Sequence, residues 1–142
     1  MARRLTRRAK DLVCMRQLAT CGYCGQPLCD AFEVDHINEH RLDDREANLA
    51  ATCALCHAIK SRHVRLKRDW NYMRDALCRN LADARNRWTH APQWDTLPSW
   101  LQERLDFSDA RVYYLTLQVT TPTLDLEKYR YRKGPEVRHD TI

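Results

Sequence analysis

Two Cys-x-x-Cys pairs constrain the fold of this chain more than any other feature of its 142 residues. The pairs are Cys21-Gly22-Tyr23-Cys24 and Cys53-Ala54-Leu55-Cys56, and Gly22 and Gly25 give the first pair the backbone freedom that a tight metal-binding turn needs. Four thiolates suit a tetrahedral Zn²⁺ ion, and a site with four protein ligands is structural because no position is open to a substrate. A redox role for one pair is disfavoured by the second pair at the same spacing. We therefore predict a structural zinc site, with the ligands Cys21, Cys24, Cys53 and Cys56.

The rest of the cysteine pattern favours a reducing compartment. The other three cysteines, Cys14, Cys29 and Cys78, are predicted to be small buried residues or free thiols. The N-terminus runs Met1-Ala2-Arg3-Arg4 into more arginine, where a signal peptide would need an apolar stretch, and no window is apolar enough to span a membrane. We therefore expect a cytoplasmic protein without a membrane segment, in which cysteines serve as metal ligands or free thiols.

Between and just after the pairs lie residues that carry chemistry. They are Glu33-Val34-Asp35-His36-Ile37, then Asn48-Leu49, then the run Cys56-His57-Ala58-Ile59-Lys60. In this order, the segment from Cys21 to about Ser61 resembles the HNH endonuclease family. The resemblance implies a ββα unit, in which two short strands and a helix surround one divalent metal ion. The composition agrees, since residues 32–37 and 49–52 are strand-like and the chain from residue 55 onward is helix-like.

The resemblance also implies a role for each matched residue. Asp35 and His57 would bind a catalytic Mg²⁺ or Mn²⁺ ion, and His36 would be the general base. Asn48 would brace the loop so that His36 stays oriented. The expected reaction is hydrolysis of phosphodiester bonds in double-stranded DNA, which leaves 5′-phosphate and 3′-hydroxyl ends. Glu33 shares a strand face with Asp35, and the pattern leaves open whether it supports the metal ligands, faces solvent or stabilises the hairpin.

The loop between the two predicted strands departs from the family pattern. Many family members carry a proline and a glycine-rich stretch after the Asp-His pair, whereas residues 38–47 here are mostly polar and charged. The departure concerns the shape and charge of the loop, and the metal-binding residues themselves match.

The charge distribution points to an anionic partner. The 24 lysines and arginines outnumber the 19 acidic residues and give a formal net charge of +5, with basic groups concentrated before the first pair and after the second. A solvated helix face is the alternative explanation of this charge distribution. For Lys60, the alternative to a phosphate contact is an ordinary exposed helix lysine. The candidate contacts to DNA phosphates are Arg3, Arg4, Arg7, Arg8, Lys60, Arg65, Lys67 and Arg68.

The predicted fold class is α+β, with a zinc-braced ββα core in mostly helical surroundings. Residues 1–20 are predicted to form a basic helix or arm, and residues 21–61 the HNH core. Residues 62–90 are predicted to form a long basic amphipathic helix, and residues 91–142 a short helix capped by Ser99, a strand over 111–120 and a basic aromatic tail. The long helix is predicted from an apolar stripe, typical of a core or a dimer interface, that comprises Leu66, Trp70, Met73, Leu77, Leu81, Ala84 and Trp88.

Two other functional classes compete with a nuclease. A non-catalytic, zinc-stabilised DNA-binding module needs only the cysteines and the basic surfaces, but it has no use for a base beside a metal ligand. A zinc-bearing protein-interaction domain leaves the basic segments unexplained. For a nuclease, a monomer with one site would nick one strand and a symmetric homodimer could cut both, and both remain open from the sequence.

Overall fold

The structure, a computed structural model, describes residues 5–90, 93–105 and 108. In these ranges the chain forms four α-helices, one hairpin and two short 3-10 helices, Glu46–Asn48 and Trp94–Thr96. The elements in order are α1 (Arg7–Arg16), β1 (Glu33–His36), β2 (Leu49–Thr52), α2 (Ala54–Arg65), α3 (Asn71–His90) and α4 (Ser99–Arg104). The predicted α+β class is confirmed. The strand predicted over 111–120, the basic aromatic tail, Arg3 and Arg4 lie outside the described residues. None of the helices in the described ranges is long and apolar enough to cross a bilayer.

The hairpin and the helix that follows it occur where the sequence predicts them. β1 pairs antiparallel with β2, with Glu33 opposite Thr52 and His36 opposite Leu49. Every residue of β2 is buried, and the small side chains of Ala50 and Ala51 let other elements pack closely on that strand. Contacts between β1 and α2 complete the ββα unit.

α1 lies against β2, and side chains at the C-terminal end of α1 form hydrogen bonds with the backbone of that strand. The Gln17 side-chain amide donates to the carbonyl oxygen of Ala51 at 2.8 Å, and the Ala51 N–H donates to Gln17 Oε1 at 2.8 Å. The Arg16 guanidinium donates to the carbonyl oxygens of Glu46 and Leu49. These bonds satisfy the Ala51 N–H and the Leu49 carbonyl oxygen, buried groups on the edge of β2 that β1 does not reach. The Gly22 N–H adds a second bond to the Ala51 carbonyl oxygen at 2.9 Å.

The chain does not form a single helix over residues 62–90. α2 ends at Arg65, Lys67 adopts a left-handed conformation with φ of 56°, and the Arg68 N–H donates to the His63 carbonyl oxygen at 2.8 Å. Asp69 Oδ1 then accepts from the Asn71 N–H at 2.7 Å, which satisfies an amide at the start of α3. The predicted apolar stripe thus spans a turn as well as a helix.

The stripe itself is buried from residue 70 onward, whereas Leu66 is 43% exposed. Trp88 anchors α3 to α1 by donating from its indole N–H to the Met15 carbonyl oxygen at 3.1 Å. Leu77 packs so closely on the first cysteine pair that a Cβ atom added at Gly22 would lie only 2.7 Å from Leu77 Cδ1. α3 therefore supports the back of the turn that carries Cys21 and Cys24.

The short predicted helix after residue 92 is present as α4. It begins at Ser99, and the position before its first residue is occupied by Pro98, which makes no side-chain cap. The prediction that Ser99 caps this helix is therefore wrong. Leu101 from α4 is fully buried and closes the core near α1.

Candidate active site and zinc centre

The four cysteines of the two pairs come together in one cluster. Their sulfur atoms all lie within 4.8 Å of one another. The turns have the geometry that thiolates favour, since the Cys24 and Cys53 N–H groups approach the Cys21 sulfur at 3.5 and 3.4 Å. Gly25 adopts a φ of 76°, which the turn requires and which side chains rarely allow.

This donor set fits a zinc ion. Sulfurs around tetrahedral Zn²⁺ lie about 3.8 Å apart, so small side-chain shifts would close the cluster on the ion. In the protein alone, burial and the neighbouring cysteines raise the pKa of the Cys56 thiol. A bound divalent cation would reverse that effect, because a coordinating thiol loses its proton.

The remaining cysteines divide between the two predicted alternatives. Cys14 is fully buried, and burial raises its pKa to about 12, which keeps the thiol protonated. Cys29 and Cys78 are exposed free thiols.

Beside the cysteine cluster, the hairpin and α2 bring Asp35 and His57 together. Asp35 Oδ1 and His57 Nε2 are 3.5 Å apart. Glu33 lies two residues before Asp35 on the same strand, and its Oε1 accepts from His57 Nδ1 at 2.6 Å. Because an ionised carboxylate only accepts, this bond places the proton on Nδ1 and leaves Nε2, on the side of Asp35, as a lone-pair donor.

Asp35 is also held by two buried groups, and one of them, the Lys60 ammonium, reaches Oδ1 as well, at 3.3 Å. The Tyr23 hydroxyl donates to Asp35 Oδ2 at 2.7 Å, and the Lys60 ammonium lies 3.1 Å from the same oxygen. Burial raises the pKa of Asp35, and the Lys60 charge is the largest influence in the opposite direction. Tyr23 lies within the first cysteine pair, so one side chain links the cysteine cluster to Asp35.

Lys60 differs from its sequence interpretation. Its side chain is 0% exposed, and its ammonium also donates to Glu39 Oε2 at 2.6 Å and to the carbonyl oxygens of His36 and Ile37 at 2.9 Å. The expectation of an exposed helix lysine is wrong, and the cation is committed to these oxygens instead of being presented to a phosphate.

His36 forms a pair with an acidic residue of the loop. His36 Nε2 lies 2.8 Å from Asp44 Oδ1, and both side chains are largely buried. His36 makes no hydrogen bond through Nδ1 to another described residue. The sequence contains no signal that distinguishes Asp44 from the other acids of this loop, such as Asp43.

Asn48 is fully buried and ties both ends of the loop together. Its Nδ2 donates to Asn38 Oδ1 at 2.8 Å and to the Asp43 carbonyl oxygen at 2.9 Å, and its Oδ1 accepts from the Asn38 N–H at 2.9 Å. Asn38 in turn donates to Asp43 Oδ2 at 2.8 Å. The network holds the chain two residues after His36 and directly before Asp44.

Several of the residues described above face one cavity of about 500 Å³. Asp35, His36 and His57 lie on its wall together with Asp44. Two cations, Lys10 from α1 and Arg41 from the loop, also line it; the sequence pattern did not single them out. The remaining lining residues are Leu5, Val34, Glu39, Leu42 and Ser61.

The predicted phosphate contacts lie elsewhere within the described part of the chain. Arg7 is paired with Asp11 at 3.6 Å on α1. Arg65, Lys67 and Arg68 are exposed at the end of α2 and in the turn that follows, and Arg8 is exposed on α1. None of these five residues lines the cavity.

Comparison with known proteins supports the interpretation of the central segment. Residues 21–63 match the family model described as HNH endonuclease. Comparisons with curated proteins and with solved structures gave no match. The matched range contains the hairpin, nearly all of α2 and the four cysteines, and so confirms the resemblance seen in the sequence.

Proposed function

We propose that this protein is a metal-dependent DNA endonuclease that hydrolyses phosphodiester bonds at the cavity beside β1 and α2. The observation that supports this most is the meeting of Asp35 and His57, 3.5 Å apart, next to His36 on the wall of one cavity in the HNH segment. Both the substrate class and the reaction follow from the family.

Asp35 and His57 fit a catalytic Mg²⁺ or Mn²⁺ ion. Two ligands in neighbouring octahedral positions at about 2.1 Å from the ion lie about 3 Å apart, close to the separation observed between Asp35 Oδ1 and His57 Nε2. Among the described residues no third acidic or histidine side chain completes a cluster with them, so water and phosphate oxygens would fill the shell. Such an ion would stabilise the negative charge on the phosphate and on the leaving oxygen.

His36 is the general base in this proposal. A water molecule gives one proton to the His36 imidazole while its oxygen forms a bond to phosphorus. The bond between phosphorus and the 3′ oxygen breaks, and that oxygen takes a proton from solvent. The products carry a 5′-phosphate and a 3′-hydroxyl group. Asn48 contributes by holding the loop that follows His36.

Two cations of the cavity wall are suited to the flanking phosphates of the DNA strand. Lys10 is half-buried on α1, and Arg41 is exposed on the loop at the other side of the cavity. Because each places a positive charge on the cavity wall near the reacting groups, we assign them the role of phosphate contacts, which position the strand without reading its sequence. The exposed basic residues after α2 would extend this contact along the duplex.

The first test is cleavage of supercoiled plasmid DNA with Mg²⁺ or Mn²⁺. The wild-type protein should nick or linearise the plasmid, and His36→Ala should cut about 10²- to 10⁴-fold more slowly, because loss of a general base costs that much. His40→Ala is the matched control, since His40 is exposed and does not line the cavity. It should cut at the wild-type rate.

The outcome also separates the alternatives. Equal cleavage by wild type and His36→Ala would contradict the assigned base. Tight, salt-sensitive DNA binding without cleavage on substrates of random sequence would favour the non-catalytic module. The ratio of nicked to linear product distinguishes a monomer that cuts one strand from a homodimer that cuts both.

A further inference from the structure

We propose that Asp44 is the positioning residue of the general base: its carboxylate fixes the protonation and orientation of the His36 imidazole and leaves Nδ1 as the basic nitrogen. The inference rests on the proposed function, because it assigns a role to Asp44 in the same reaction. It adds a residue from the loop in which this chain departs from the family pattern.

The hydrogen bond determines which nitrogen can act as a base. A neutral imidazole carries one proton, and an ionised carboxylate can only accept. The 2.8 Å contact between His36 Nε2 and Asp44 Oδ1 therefore places that proton on Nε2. The lone pair is then on Nδ1, which makes no hydrogen bond to another described residue and remains available to take a proton from water.

Burial strengthens this pair relative to one at the surface. The Asp44 side chain is 12% exposed and the His36 side chain 18% exposed. Attraction between charges increases as solvent is excluded, so the Asp44 carboxylate can stabilise the positive charge that the ring gains when it accepts the water proton. Asp44 also lines the same cavity as His36, which places the carboxylate beside the reacting groups.

The loop is built to hold Asp44 in place. Asn48 donates to the carbonyl oxygen of Asp43, directly before Asp44, and Asn38 donates to the Asp43 carboxylate. The hairpin register fixes the position of Asn48, because Asn48 directly precedes Leu49, which pairs with His36 across the hairpin. Hydrogen bonds from Asn48 and Asn38 thus hold residue 43, which is the covalent neighbour of the acid that orients the base.

The kinetic test compares Asp44→Ala, Asp44→Asn and Asp30→Asn in single-turnover nicking of plasmid by the full chain with Mg²⁺. Asp44→Ala should lower the rate constant of cleavage about 10- to 100-fold, typical of loss of a supporting partner, with little change in the DNA concentration at half saturation. Asp44→Asn keeps an acceptor oxygen and should retain part of the lost rate. Asp30→Asn removes an equal charge from an exposed site outside the cavity and should match wild type.

A second measurement reports on the hydrogen bond without cleavage. In protein labelled with ¹⁵N-histidine and loaded only with zinc, the Nε2-bound proton of His36 should give a downfield resonance that exchanges slowly with water. His36→Ala identifies the resonance by its absence, and Asp44→Ala should remove it while the resonances of the other histidines persist.

Each outcome decides a different point. Cleavage by wild type that Asp44→Ala leaves unchanged would overturn the role of Asp44 alone, as would a His36 resonance that survives in Asp44→Ala. A rise in half-saturating DNA concentration without a fall in the rate constant would show that Asp44 acts in binding, which also overturns the inference. Absence of cleavage by the wild-type protein on substrates of random sequence would overturn the proposed function and this inference with it.

Discussion

The buried Lys60 ammonium group offers the sharpest test of how this site is held together. Replacing Lys60 by methionine keeps most of the aliphatic chain but removes the charge beside Asp35, whose side chain is 1% exposed. Removal of one partner of a buried ion pair typically costs about 3–5 kcal/mol, because the other charge is left without compensation. Glu39 adds little to this cost, since its side chain is 37% exposed and can be hydrated.

The expected loss is large relative to the stability of a domain of this size. Globular domains have unfolding free energies of about 5–15 kcal/mol, so Lys60→Met should remove a substantial fraction. The corresponding fall in Tm is about 10–20 °C. The assay is thermal and urea unfolding of the zinc-loaded full chain by circular dichroism, without added Mg²⁺ or Mn²⁺.

Two further variants make the test specific. Arg62→Met removes a cation from an exposed position of the same helix and should change stability by no more than about 0.5 kcal/mol. Asp35→Asn should cost less in the Lys60→Met background than in wild type, because the pair has already been broken. A loss in Lys60→Met no larger than in Arg62→Met would refute the reasoning, as would additive effects of Lys60→Met and Asp35→Asn.

Three other predictions concern metal and DNA. Removal of zinc by a strong chelator should abolish the cooperative thermal transition of the core, since the hairpin and α2 depend on the four cysteines for their packing; an unchanged transition after verified zinc loss would contradict this. His57→Ala should weaken binding of Mn²⁺, measured by calorimetry, while zinc content stays at the wild-type value, and loss of both metals would show that the two sites are not separate. Lys10→Ala and Arg41→Ala should each weaken DNA binding to all sequences alike and lower the slope of log affinity against log salt by about 1.

Local patterns were sufficient to predict the four-cysteine cluster and the elements that carry it. The cysteine spacing predicted the cluster because each Cys-x-x-Cys pair forms a local turn. The cysteines are required as sulfur ligands and not for packing, so their pattern can be read without knowledge of the fold. The structure places β2 over the residues 49–52 that the composition predicts, because the residues that end the strand on either side are close to it in sequence. The helical stripe that ends at Trp88 was also recovered, because its period is a local property of the helix.

What the sequence did not reveal depends on contacts between distant segments. The burial of Lys60 requires Asp35 and Glu39 to meet it across the hairpin, and no local pattern distinguishes such a lysine from an exposed one. The break before α3 was missed because the turn returns Trp70 to the same core, so the apolar period continues through it. Asp44 stands in an acidic run, and only the folded loop singles it out.

The side-chain amide of Gln17, which pairs with both backbone groups of Ala51, protects an edge of the sheet as well as orienting α1. An open strand edge is a template on which another chain can add a strand, and this is a common route to aggregation. Gln17 precedes the segment that matches the family. A fragment limited to residues 21–63 would therefore leave the Ala51 N–H and the Leu49 carbonyl oxygen on the outer edge of β2 without their partners, Gln17 and Arg16. That fragment should self-associate, whereas a fragment that begins before α1 should stay dispersed.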